Sequence, residues 1–285
     1  MAGPRPDGEP PPPAVQRLRL RYAKRGRLRF ASHRDFQRAF ERALRRAGVP
    51  IAYSAGFSPH PKVSYAGAAP TGTASEAEYL EIGLVRRCEP AWVRDVLDTS
   101  LPPGLDVLDA VEVQTPDLAG RLEASVWEMR FADLEEAALR HAADTFLAAR
   151  EVQVERMTKN GMRRMDARSA VLRLDVSQPA AQRGAAGPDR PCAILQVVVR
   201  HGQPAVRPDD ILAGLRQMAD FAPPSPPWVT RLAQGPFDAQ CGAVADPLAP
   251  DRGAPVADGE ATAELAGGPA GGAVVGASRP VRERT

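Results

Sequence analysis

The order of strand-like and helix-like stretches, β–α–β–β–α–β run through twice, predicts an α+β chain of two tandem ferredoxin-like modules. Two more observations frame it. The helical stretches carry apolar residues at helical spacing on one side, so each has a face to bury against a sheet. The two ends are Pro-, Gly- and Ala-rich and poor in aromatics, which predicts disordered tails over 1–14 and 235–285. The modules are then expected over 15–115 and 122–233, joined near Thr115–Leu122.

Taken in order, Arg17–Tyr22 alternates Arg with Leu or Tyr and reads as a half-buried strand with one basic face. Lys24-Arg25-Gly26 reads as a turn and Arg27–Phe30 as a second short strand. Ser32 is a good N-cap, with Asp35 three residues on to close a capping box. The helix His33–Ala47 places Phe36, Phe40, Ala43, Leu44 and Ala47 on one face; Gly48 ends it and Pro50 prevents its resumption. Val63–Ala69 and Glu78–Val85 read as strands, Pro90–Leu101 as a helix around Trp92, Val93, Val96 and Leu97, and Leu105–Val113 as a closing strand.

The second half begins with a strand at Ser125–Phe131 and a helix at Leu134–Ala149, with Ala138, His141, Ala142, Thr145 and Phe146 on its inner side. Val152–Met157 and Met162–Ala167 form a hairpin around Lys159-Asn160-Gly161, since Asn-Gly favours a type I′ turn. Val171–Val176, Ala193–Arg200 and Trp228–Leu232 are strands, and Pro208–Met218 is a helix with Asp209 and Asp210 at its positive end. Two sheets side by side would leave a cleft for an extended ligand.

Hydrophobic content of 44% and charged content of 25% are ordinary for a globular chain, so composition excludes neither an enzyme nor a binding module. The net charge of +2 hides an asymmetry: between Arg17 and Arg46 there are twelve Lys or Arg against Asp35 and Glu41. There is no apolar run long enough for a membrane span and no apolar stretch at the start of a secretory type. Cys88, Cys192 and Cys241 have no metal or redox spacing, and a reducing, cytoplasmic location is expected. The only lysines are Lys24, Lys62 and Lys159, all in turn-like stretches of a chain that otherwise uses arginine.

The stretch Tyr53–Lys62, Y-S-A-G-F-S-P-H-P-K, differs from an ordinary polar connection. Pro59 and Pro61 stiffen the backbone around His60, as a binding loop needs. With K-R-G-R-L-R-F-A-S-H-R-D-F before it and T-G-T-A-S-E-A-E-Y-L-E-I after it, the stretch resembles a bacterial family of radical-SAM-associated proteins of unknown function. The resemblance spans about Arg17 to Phe221 and is strongest over Arg17–Val85. In that family the module is fused to a radical SAM enzyme or made as a separate chain, so the resemblance implies such an enzyme as partner. The cluster pattern C-x-x-x-C-x-x-C is missing here, so any radical chemistry would belong to another polypeptide. The positions carried over are His33, Arg34, Gly56, Phe57, His60, Pro61 and Lys62.

Three functional expectations follow. The first is a non-catalytic RNA-binding or substrate-presenting module. Its basic face would comprise Arg17, Arg19, Arg21, Lys24, Arg27, Arg29 and Arg34, with Tyr22, Tyr53, Phe57 and Tyr65 as stacking surfaces and His60 and Lys62 beside them. The second is an RNA-cleaving or RNA-modifying enzyme using His33, His60 and Lys62, similar to metal-independent ribonucleases that process CRISPR repeats. The third is a protein–protein adaptor whose basic face meets an acidic partner. Glu76, Glu78 and Glu81 are not read as metal ligands, since Glu78 alternates with Leu80 and Ile82 as on a solvent-facing strand edge; His141 reads as a structural residue and His201 as an exposed one, and no cofactor is expected.

Overall fold

The computed structural model describes residues 11–158, 161–178 and 191–253. The expectations for 1–10, for the tip of the predicted Asn-Gly turn and for 254–285 lie outside the described residues.

The architecture is α/β, with helices packed on a large mixed sheet. The first half runs β1 (Gln16–Lys24), a 3-10 helix (Gly26–Phe30), α1 (His33–Arg46), β2 (Val63–Ala66), β3 (Ala74–Leu84), α2 (Pro90–Ser100) and β4 (Leu105–Glu112). The second runs β5 (Ala124–Ala132), α3 (Glu136–Ala148), β6 (Gln153–Thr158), β7 (Gly161–Asp166), α4 (Ala167–Ala170), β8 (Val171–Ser177), β9 (Cys192–Arg200), α5 (Pro208–Ala219) and β10 (Trp228–Gly235). β11 (Phe237–Asp238), β12 (Ala243–Val244) and a 3-10 turn at Ala249–Asp251 follow.

The strand order is β4-β1-β3 and then β10-β5-β9-β8, with β2 also on β3. Within each half every pairing is antiparallel, and the order of the second half repeats that of the first. The halves are joined by a short parallel contact, Thr230 to Ala74 and Arg231 to Ser75. β2 reaches only from the Ile82 to the Tyr79 position of β3, which leaves the start of β3 free for β10. The expected pair of separate sheets with a cleft between them is therefore replaced by one continuous sheet.

Apolar alternation sets the helix-covered face. Leu18, Leu20, Leu80 and Ile82 pack with Phe36, Phe40, Val93 and Leu97 in the first half, and Met129, Phe131 and Leu195 with Phe146, Ile211 and Leu215 in the second. The opposite face of the first half holds a smaller cluster of Ala77, Tyr79, Val111, Leu118, Leu122 and Leu248. Val111 reaches that face through a bulge: Arg21 pairs with Asp109 but Tyr22 with Val107, so Leu108 is the extra residue.

Several expectations are corrected here. Arg27–Phe30 is helical, because Gly26 at φ +53° turns the chain out of β1. Residues 236–253, assigned to a disordered tail, fold back as a strap on the opposite face, with Leu248 and Asp251 buried. The aromatic-poor composition of this stretch misled because one leucine and one paired aspartate suffice to seat it. His141 and Ala138 are exposed, since α3 buries Leu139, Ala142, Ala143 and Phe146 instead.

Candidate nucleic-acid interface

The capping box at the start of α1 forms as its residues require: Asp35 N–H donates to Ser32 Oγ at 3.2 Å, and Ser32 N–H to Asp35 Oδ2 at 3.3 Å. Phe36, Phe40, Ala43 and Leu44 are buried. Tyr22 stacks on Phe36 with ring centroids 4.4 Å apart, and Tyr65 meets Phe36 edge-on. This packing fixes which side of α1 meets water. Arg34, Arg38, Arg42 and Arg45 are exposed on that side. At about 100° per residue they fall within an arc of about 80°, and they span about 16 Å along the axis. None of the four makes a close ion pair among the described residues, although the Ser32 hydrogen bonds, helped by the charges of Arg38 and Arg34, lower the Asp35 pKa. Two acids flank the face, the exposed Asp35 beside Arg34 and Arg38 and the half-buried Glu41.

The strand arginines have a different fate. Arg19 is 2% exposed and bonds Glu81 at 3.2 Å and Asp251 at 2.5 Å. Arg17 pairs with Glu81 at 3.1 Å, and Arg21 Nε donates to the Glu76 carbonyl at 2.8 Å. Lys24 is 6% exposed, with Nζ directed at the carbonyls of Ala69 and Pro70. Burial pushes its pKa down, with Glu78 opposing the shift and Arg231 adding to it. Of the expected cationic platform on β1, Arg19 and Lys24 are therefore buried and Arg21 half-buried, while Arg17 stays exposed beside Glu81. The negative partners come from β3 and from the strap, far from β1 in sequence. Glu78 is likewise buried against Arg231 rather than facing solvent. Of the expected basic set, Arg17, Arg27 and Arg34 are exposed, and Arg29 lies half-buried with its guanidinium 4.4 Å over the Phe30 ring.

The loop between α1 and β2 is closed by its own backbone. Lys62 N–H donates to the Ala52 carbonyl, Ser54 N–H to the His60 carbonyl, and His60 N–H to Ser54 Oγ at 3.0 Å. Residues 55–60 stand exposed, with Gly56 at φ +134° and Phe57 71% exposed. Of the aromatics expected to stack on bases, Phe57 is thus available. Tyr22 is buried, and Tyr53 and Tyr65 are part of the α1 core. Burial raises the hydroxyl pKa of Tyr22 and Tyr65. Phe30, 58% exposed beside Gly72, is a further aromatic that the sequence reading passed over.

His33 and Lys62 do not converge. His33 meets the Tyr65 ring at 4.8 Å on the helix-covered side. Lys62 alternates with Val63 and Tyr65, and its Cβ lies over Gly83 on the opposite side. There it lines a groove of about 710 Å³ with Ala14, Arg17, Ser64 and Glu81. The sheet therefore separates two members of the expected His33/His60/Lys62 constellation. His60 has an exposed side chain at the loop. His201 is held at both ring nitrogens, Nδ1 2.6 Å from the Leu122 carbonyl and Nε2 2.6 Å from Ser125 Oγ. The carbonyl can only accept, so Nδ1 carries the proton and Ser125 donates to Nε2.

The arginine ridge was legible in principle: positions 34, 38, 42 and 45 follow the i, i+4, i+8, i+11 spacing on the side opposite Phe36 and Phe40. The alternation of arginines in β1 drew the reading to the strand instead. Among the described residues, no cluster of three His, Cys, Asp or Glu is placed to hold a metal ion, and no helix is long and apolar enough to cross a membrane.

No curated protein matches the chain. Among solved structures it is similar to a Rhodococcus jostii RHA1 DypB variant in complex with heme, at 12% identity over 79% of this chain and 92% of that one, with a TM-score of 0.21. DyPB from the same organism in another crystal form matches at 12% identity over the same shares, with a TM-score of 0.20. Likeness at that level carries no argument about this chain. A family model described as "Uncharacterized protein conserved in bacteria (DUF2344)" matches residues 17–208. That span includes the capped helix, its arginine ridge and the Tyr53–Lys62 loop, and over it this chain belongs to the DUF2344 family of conserved bacterial proteins.

Proposed function

We propose that this chain is a non-catalytic, cytoplasmic RNA-binding module that presents RNA to a radical SAM enzyme. The observation that carries the RNA half is the ridge of Arg34, Arg38, Arg42 and Arg45 on α1, four exposed guanidiniums flanked by two acids, Asp35 and Glu41. A row of guanidiniums at roughly one helical turn per step suits a phosphate backbone, because each neutralised phosphate releases counterions. Arg27 and the rings of Phe30 and Phe57 are exposed too, and offer further charge and stacking area. The enzyme half rests on the family resemblance of the loop and its flanking motifs. The repeated antiparallel order β4-β1-β3-β2 and β10-β5-β9-β8 supports reading each half as a ferredoxin-like module. Separation of His33 from Lys62 by the sheet favours binding over the RNA-cleaving alternative.

Ultraviolet crosslinking of the tagged full chain in a bacterial lysate tests both halves. Peptides from 27–46 or carrying Phe57 should bear ribonucleotides, and a radical SAM enzyme should co-purify. A chain that retains no RNA at low salt would sink the RNA half. RNA recovered without the enzyme would sink the partner half, and the enzyme without RNA would leave a protein adaptor.

A further inference from the structure

The strap from 246 to 252 ends in a side chain that the fold treats as a ligand. Asp251 lies fully buried on the sheet face opposite the helices. Its Oδ1 accepts the backbone N–H groups of Gln114 and Thr115, both at 3.0 Å, and the Thr115 hydroxyl at 2.7 Å. Its Oδ2 accepts Arg19 Nη1 at 2.5 Å and Arg121 Nη1 at 3.0 Å. Two consecutive backbone N–H groups aimed at one acceptor form an anion-binding nest. Around it stand a hydroxyl and two guanidiniums.

This donor set exceeds what a carboxylate can use well. An ionised carboxylate offers about two acceptor directions per oxygen. Here Oδ1 meets three donors. A tetrahedral oxyanion would spread the same five donors over three terminal oxygens, the arrangement in which arginines and backbone N–H groups bind phosphate. Every donor, Arg19, Gln114, Thr115 and Arg121, lies within the family-matched span 17–208, whereas the acceptor lies beyond it.

We propose that this cradle is a phosphate-monoester site, with Asp251 as its internal occupant. The exchange is local. Leu248 is anchored separately in the apolar cluster with Tyr79, Val111 and Leu122, and the Pro247 carbonyl accepts Arg121 at 2.8 Å. The carboxylate leaves when the single 3-10 turn Ala249–Asp251 unwinds and the ion pairs of the adjacent, part-exposed Arg252 with Asp109 and Asp246 give way. While Asp251 occupies the cradle, the apparent affinity for phosphate is reduced by the fraction of molecules in which the site is open. The proposal is independent of the α1 ridge, which stands on the other side of the sheet.

The test uses the full chain, wild type and Asp251→Ala, with thermal midpoints followed in phosphate, acetate and chloride at matched ionic strength. Asp251→Ala should have a lower midpoint than wild type in chloride. Phosphate should raise that midpoint progressively, and with an affinity about tenfold or more above that of wild type. Acetate should give clearly less. Equal phosphate effects on the two proteins, or equal effects of acetate and phosphate on the variant, would overturn the proposal.

If Asp251→Ala does not fold, the same comparison is made with Asp251→Asn, together with hydrogen exchange of wild type in saturating phosphate. Faster exchange confined to 249–252 would support the exchange of ligands, and unchanged exchange there would refute it. An oligoribonucleotide with and without a terminal phosphate, set beside glycerol phosphate, separates an RNA end from a small metabolite as the source of the group.

Discussion

The most direct perturbation is Arg38→Ala with Arg42→Ala. Both side chains are exposed on α1; Arg38 has only the solvent-exposed Asp35 as a charged neighbour, an interaction worth little in stability. Alanine keeps the helix, since it has the highest intrinsic propensity. Stability should therefore move by no more than about 0.5 kcal/mol per site. RNA binding should change in a way that can be counted. If each ridge arginine meets one phosphate, the wild-type log–log salt slope is about 4 × −0.7, or about −2.8, and the double variant retains about −1.4. Between about 50 and about 200 mM salt, wild-type affinity then falls about fiftyfold and that of the variant about sevenfold. Fluorescence anisotropy with a labelled single-stranded oligoribonucleotide across that range reads both slopes. An unchanged slope, or a variant that binds as tightly as wild type at low salt, would refute the ridge as the contact surface. A fall in affinity accompanied by unfolding would show instead that the arginines belong to the structure.

Arg19→Ala, in contrast, should cost about 3–5 kcal/mol in urea denaturation, because it leaves Asp251 and Glu81 short of a buried partner; the exposed Arg17→Ala should cost about 0–1 kcal/mol, and equal losses would contradict the buried placement. Phe57→Ala should leave the unfolding midpoint alone and weaken RNA binding by about 1–3 kcal/mol, measured in the same anisotropy assay; an unaffected affinity would take Phe57 out of the interface. Ser32→Ala should cost about 1 kcal/mol through loss of the capping box, read from the shift in urea midpoint. Burial lowers the His201 pKa, against the Leu122 carbonyl and with help from Arg231. Its folded pKa thus lies below the unfolded one, so the contribution is complete above about pH 6.5 and is lost as pH falls through the folded value. A His201→Asn protein should show a flatter stability profile below that point, and an unchanged profile would remove His201 as the cause.

Much of the local structure could be read from neighbouring residues. Ser32 and Asp35 announce the start of α1, Phe36, Phe40 and Leu44 its buried face, and Gly48 and Pro50 its end. Each of these signals acts within one or two turns, where covalent geometry and 3.6-residue periodicity decide the outcome. The repeated strand and helix rhythm was legible for the same reason. Strand alternation also put Arg17, Arg19 and Arg21 on one side of β1, but it could not say what lies over that side. That answer comes from Asp251, 232 residues from Arg19, and from Glu81, 62 residues away. Glu78 was misplaced in the same way, because its partner Arg231 arrives with β10 from the other half of the chain. The joining of the halves into one sheet rests on two residue pairs between β3 and β10, too few to leave a mark on either strand's pattern. The four ridge arginines of α1 stayed exposed and Arg19 of β1 did not, although the sequence lists them alike. A charge is exposed or neutralised according to which opposite charge folding brings within a few ångströms, and only the long-range chain path supplies that.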